Sequence, residues 1–182
     1  MTAMTEVHKG RQALMAGKAQ AALAHFQHAV EIDPNFLYFS TLPQSAVTYT
    51  GRALYQLGRF LEARHALEQA TLRFKNDSIA RLYLGLTLAR QGHQELGLHE
   101  TTAGLKAIYE WLDYIETNLP HGVYWDTKRE IRSEIERILD QTSDHSFTAG
   151  QLTAAAEWIG NRIEQEIDLA RRDEQASRNR SG

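Results

Sequence analysis

Cysteine is absent from this 182-residue chain, and with it go disulfides, thiolate metal sites and cysteine nucleophiles. Proline occurs only three times, so little in the sequence forces a helix to stop. The Val-Ile-Thr alternation that marks strands is almost missing. Formal net charge is -3, which leaves no global positive field to draw in a phosphate backbone, and nucleic acid is not expected as a partner. No apolar run approaches the length of a membrane span, so no membrane insertion is expected. Residues 1–11 also lack the apolar stretch of a secretion signal. A cytoplasmic protein is the simplest expectation.

What is present forms helices. Alanine, leucine, glutamate, glutamine and arginine are plentiful, and all of them favour the helix. Apolar residues at 42% and charged residues at 24% give the balance of a folded domain rather than a disordered chain. The expected fold class is all-α.

Small residues recur at a fixed interval. Gly10, Gly17, Ala22, Phe26 and Ala29 precede Asp33-Pro34 in a first segment, and Gly51, Gly58, Phe60, Ala63, Leu67 and Ala70 mark a second. Gly85, Gly92, Gly97 and Gly104 fall at matching offsets in a third, where Thr101 stands at the place of Phe26 and Leu67. Gly51 to Gly85 spans 34 residues, as does Gly58 to Gly92, whereas Gly10 to Gly51 spans 41. About seven residues are therefore inserted after the first unit. Glycine inside a helix costs about 1 kcal/mol against alanine, so its recurrence implies a compensating close approach of a neighbouring helix. The later glycines suit a left-handed residue closing a helix.

This pattern resembles the tetratricopeptide repeat, a helix-turn-helix unit of 34 residues. The resemblance covers roughly residues 5–110. It implies a right-handed superhelix of antiparallel helix pairs, with units at about 3–34, 44–77 and 78–111 and an insertion at 35–41. Within the insertion, the apolar run from Phe36 to Phe39 either covers an edge of the superhelix or touches a partner. Thr41 and Gln44 read as a capping box opening the next helix, with Pro43 in its first turn.

Beyond the repeats, Leu105, Ile108, Leu112 and Ile115 extend a helix to about Asn118, where Pro120-His121-Gly122 breaks it. Thr127 with Glu130 reads as a second capping box, ahead of a stripe of Ile131, Ile135, Ile138 and Leu139. Arg132 with Glu136, and Glu134 with Arg137, are spaced as surface ion pairs. A loop with Ser143, Asp144 and Gly150 leads to a last helix that Thr148 and Gln151 can cap, with Leu152, Ala155, Ile159, Ile163, Ile167 and Ala170 on its buried face. The organisation expected is thus a repeat domain at 1–118, C-terminal helices at 119–172 that cap the superhelix, and a disordered tail at 173–182. The alternative for the C-terminal helices is a dimerisation seam giving homo-oligomers.

Nothing in the sequence assembles a catalytic site. No glycine-rich phosphate loop follows a strand and no nucleophile elbow occurs. His25 and His28 lie three apart, but their helix offers no third metal ligand. His93 and His99 have poor same-face spacing, and His121 and His145 fall in turns or loops. Tyr109, Trp111, Tyr114, Tyr124 and Trp125 are either core packing or the lining of a ligand pocket. No enzyme, cofactor or metal is expected.

The resemblance implies instead a protein-protein interaction adaptor or scaffold, whose partner docks in the concave groove lined by the first helix of each unit. The corresponding residues are Val7, Arg11, Leu14 and Met15, then Thr48, Arg52, Tyr55 and Gln56, then Leu82, Leu86, Ala89 and Arg90. Arginines among apolar and aromatic side chains suit an acidic peptide or one with a C-terminal carboxylate. Relatives that hold the tails of heat-shock chaperones use a clamp of lysine, asparagine and arginine. Here its places are taken by Val7, Arg11, Tyr49, Ile79 and Tyr83, so that mode is not expected.

Overall fold

The computed structural model describes residues 2–38, 41–143 and 148–181. Phe39, Asp144 and His145, which entered the expectations above, lie outside the described residues. The chain divides into two compact units, Met1–Gly104 and Leu105–Gly182.

The first unit is built of helix pairs: α1 (Ala3–Met15) with α2 (Ala19–Ile32), then α3 (Ala46–Gln56) with α4 (Phe60–Arg73), then α5 (Ser78–Arg90) with the start of α6 (Gln94–Asn118). Two short strands, β1 (Leu37–Tyr38) and β2 (Gln44–Ser45), separate the first pair from the second. Within each pair the turn is the same. Gly17, Gly58 and Gly92 have φ of 72°, 73° and 87°. The amides of Lys18, Arg59 and His93 then donate back to the carbonyls of Ala13, Leu54 and Leu88 at 2.9–3.0 Å. A left-handed residue followed by this 6→1 bond satisfies orphan carbonyls at each helix end. α2 stops at Asp33, ahead of Pro34, as expected.

The interior glycines are contact points. A Cβ on Gly51 would lie 2.5 Å from Leu67 Cγ, and one on Gly10 would lie 2.4 Å from a Phe26 ring carbon. At Gly85 the obstruction is the Thr101 backbone nitrogen, at 2.3 Å. Phe26, Leu67 and Thr101 are themselves spaced by 41 and then 34 residues, so each unit repeats one contact with a different side chain. Phe26 and Leu67 are fully buried, and burying each contributes about 1.5–3 kcal/mol.

α3 begins later than expected. Ser45, not Thr41, caps it: the Ser45 hydroxyl accepts from the Thr48 amide at 3.0 Å. Gln44 lies in β2, paired with Tyr38 of β1. A local capping signature lost here to a longer-range partner for Gln44, described below.

The second unit contains the rest of α6, a 3-10 turn at Gly122–Tyr124, α7 (Glu130–Ser143) and α8 (Ala149–Ser181). The division falls inside α6 rather than at residue 118, because nothing interrupts that helix before Pro120. The apolar stripes expected on these helices are buried, among them Ile108, Ile115, Ile131, Ile138, Ile159 and Ile163, while Leu139 is half-buried. Thr148 and Gln151 form the expected reciprocal box: Gln151 N donates to Thr148 Oγ1 at 3.2 Å and Thr148 N to Gln151 Oε1 at 2.9 Å. The box expected at Thr127 is replaced by Asp126, whose carboxylate accepts from the amides of Ile131 and Arg132 at 2.9 and 3.1 Å. α8 continues through Ser181 where a disordered tail was expected after residue 172. Pairs such as Arg178 with Glu174, 2.6 Å apart and one turn away, support that polar stretch.

Candidate protein-docking face

The first helices α1, α3 and α5 present three rows of repeat-equivalent residues, four apart along each helix. Val7, Thr48 and Leu82 form one row, Arg11, Arg52 and Leu86 the next, and Met15, Gln56 and Arg90 the last. The first two rows are buried, each residue at 1% exposure or less. Tyr55, beside the last row, is also buried. Met15 is 43% exposed, and Gln56 and Arg90 are exposed. The residues named from the sequence as a groove thus separate into an interior set and an exposed edge. Met15, Gln56 and Arg90 are each the final residue of their helix.

The interior rows are covered by the chain itself. Tyr38, Leu42, Gln44 and Ser45, from the inserted segment, are buried at 1% exposure or less. Arg11 Nη1 donates to the Tyr38 hydroxyl at 3.0 Å, and Arg52 Nη1 donates to Gln44 Oε1 at 2.6 Å. Both guanidinium groups also face rings: Arg11 lies 4.8 Å from the Tyr38 centroid, and Arg52 lies 5.4 Å from Tyr49 and 4.7 Å from Tyr83. Such contacts contribute about 0.5–2 kcal/mol each, the more so where water is excluded. The expectation that these arginines lie open to an acidic ligand is therefore corrected. Neutral oxygens and aromatic faces of the same chain occupy them.

One carboxylate ties the insertion to the third unit. Asp77 Oδ2 accepts from Ser45 N at 2.8 Å and from Thr48 Oγ1 at 2.5 Å, while Asp77 Oδ1 accepts from Ala80 N at 3.1 Å. It caps α5 and fixes the start of α3 at once. Burial raises its pKa above the ordinary carboxylate value, against the opposing pull of these donors. Tyr38, Gln44 and Asp77 were not singled out in the sequence. The seven-residue excess between the first two units marked the insertion, and Asn76-Asp77-Ser78 ahead of an apolar run has the form of a helix start.

The remaining candidates do not converge on a site. His25 Nδ1 lies 2.7 Å from Glu6 Oε2, and this hydrogen bond holds the Glu6 carboxyl below its ordinary range. His28 is exposed. Among the described residues no group of three or more histidines and carboxylates is placed to hold a metal ion. The aromatic residues separate: Trp111 and Tyr114 stack at 5.5 Å on an exposed face, Tyr109 donates to Glu136 at 2.7 Å, and Trp125 is buried. Arg132 does not pair along its helix with Glu136. It is buried against Asp126, with Nε 3.0 Å from Oδ2, and also binds Glu116. The backbone at Asp126, with φ of 47°, brings that carboxylate back over the start of α7.

Residues 50–98 match the profile of a family described as Tetratricopeptide repeat. The chain carries tetratricopeptide repeats. The match runs from α3 through α4 and α5 into α6, the stretch where the 34-residue spacing is strict. No curated protein and no solved structure matches the chain. Tetratricopeptide repeats are protein-interaction modules and typically lack catalytic activity. The places of the chaperone-tail clamp, Val7, Arg11, Tyr49, Ile79 and Tyr83, are all buried here. No described helix is long and apolar enough to cross a membrane.

Proposed function

We propose that this chain is an adaptor that docks a segment of another protein along the edge formed by Met15, Gln56 and Arg90. One observation carries this: the last residues of three successive first helices are exposed, while their equivalents one and two turns earlier are buried. The edge combines a thioether, an amide and a guanidinium at the repeat interval. Arg90 Nε donates to the Tyr55 hydroxyl at 3.2 Å, which holds its planar head at the edge. A guanidinium grips a carboxylate through paired N–H donors. The ligand chemistry that fits is an acidic segment or one ending in a free carboxylate, with an apolar side chain for Met15.

The test is selection from a displayed library of random peptides with free C-termini. The proposal expects enrichment of acidic or C-terminally apolar-acidic sequences. Affinity for the winners should fall about tenfold or more with Arg90→Glu, a change of about 1.4 kcal/mol or more. Winners without acidic character, or equal binding by Arg90→Glu, would overturn it.

A further inference from the structure

The concave face of the first unit already holds an extended segment, and the way it is held is that of a ligand. β1 and β2 pair antiparallel with Tyr38 opposite Gln44, so these two side chains leave the same face of the hairpin. That face meets two repeat-equivalent arginines. Arg11 takes the Tyr38 hydroxyl and Arg52 takes the Gln44 amide oxygen. Tyr38 also packs edge-on against Tyr49, with centroids 6.2 Å apart. The arginine occurs at this row only in the two units that flank the insertion. The third unit has Leu86 at the equivalent place.

Resting on the reading of this face as a docking face, we infer that the insertion is a tethered ligand, filling in cis the inner groove that a partner would otherwise enter. The contacts are directional and polar, made by cations to neutral acceptors and rings, and each is available to another chain of the same chemistry. The inner rows therefore select a hairpin or extended segment carrying a phenolic hydroxyl beside a side-chain amide. While the insertion is seated, partners reach only the outer edge. A segment of matching chemistry gains the inner rows by displacing it.

The experiment uses the full chain with residues 36–44 replaced by a glycine-serine linker of equal length. Ser45 and Asp77 are kept, so that α3 and α5 retain their caps. A fluorescent synthetic peptide of residues 35–46 is titrated against this variant and against the unaltered chain, with circular dichroism as the control for folding. The expected result is a helical variant that binds the peptide at least about tenfold more tightly than the unaltered chain does. Peptide altered at Tyr38→Ala and Gln44→Ala should bind at least about tenfold more weakly. A folded variant that ignores the peptide, or does not distinguish the altered one, overturns the inference. So does a variant that fails to fold, because a segment the fold requires is core and not ligand. In the unaltered chain, amides of 36–45 should exchange with solvent faster than those of α3 and α4, through an opening that leaves the helices intact. Exchange at the same rate as α3 also overturns it. None of these readouts involves Arg90, so the outer-edge proposal stands or falls separately.

Discussion

Arg11 and Tyr38 meet twice over: the guanidinium donates to the phenolic hydroxyl at 3.0 Å and lies 4.8 Å from the centre of the same ring. That pairing fastens the insertion to α1, as the bond from Arg52 to Gln44 fastens it to α3. Two cations on repeat-equivalent positions are thereby desolvated without any carboxylate, each sustained by oxygen acceptors and π faces.

The inner and outer arginines should respond differently to the same substitution. Arg52→Glu places a carboxylate where Gln44 offers an acceptor and Tyr49 and Tyr83 offer electron-rich faces. It should cost about 3–5 kcal/mol, the scale of leaving a buried charge uncompensated. Arg90→Glu lies on an exposed edge and should change stability by no more than about 0.5 kcal/mol. Urea unfolding of both variants checks this. Equal losses would contradict the burial difference on which the docking edge is drawn.

Gly85→Ala should destabilise the first unit, although alanine is the better helix former. The new Cβ would meet the Thr101 backbone nitrogen, and a backbone cannot rotate away. Forcing α5 and α6 apart should cost about 1–3 kcal/mol, read as a lower midpoint in chemical denaturation. An unchanged or raised midpoint would mean that the close approach is not maintained.

Asp77 should matter more than a surface carboxylate. Asp77→Ala strands the amides of Ser45 and Ala80 and removes the partner of Thr48, and it should cost about 2–4 kcal/mol. Its pH dependence has a definite sign. Burial raises the folded-state pKa, so between the unfolded and folded values the folded chain binds more protons and its stability falls as pH rises. The contribution is fully present below about 4, near the unfolded value for aspartate. The advantage of the unaltered chain over Asp77→Asn should therefore shrink as pH rises from about 4. An advantage that grows over that range would contradict the assignment.

In the second unit, Asp126→Ala should strand buried Arg132 and uncap α7 together. The expected loss is about 3–5 kcal/mol, with earlier hydrogen exchange in the first turns of α7 as the local sign. Unaltered protection there would show that the Asp126 carboxylate is not what holds the helix start.

The parts of this fold legible in the sequence are those that repeat or act locally. Gly51 and Gly85 announced helix contacts because glycine inside a helix has no local justification, and Thr148 with Gln151 formed the box that their spacing suggests. The misplaced features have a common cause. Thr41 with Gln44, and Arg132 with Glu136, have the right spacing for a cap and an ion pair, but Gln44 and Arg132 each found a partner elsewhere in the fold. The rows of the docking face were correctly aligned to α1, α3 and α5. Their occupant was not visible, because strands of two residues carry no alternation to read and the hairpin joins Tyr38 to Gln44 through tertiary contacts.

The absence of cysteine makes the central claim, a groove filled by its own insertion and open only at its outer edge, directly measurable. Single thiols are introduced by Leu42→Cys in the insertion and by Gln56→Cys on the edge, and their rates of labelling are compared under native conditions. Leu42 is 1% exposed and Gln56 is exposed. The account predicts labelling at position 42 slower by about 100-fold or more, limited by opening of the hairpin, and rapid labelling at position 56. Comparable rates at the two positions would contradict it, since the insertion would then not be seated in the groove.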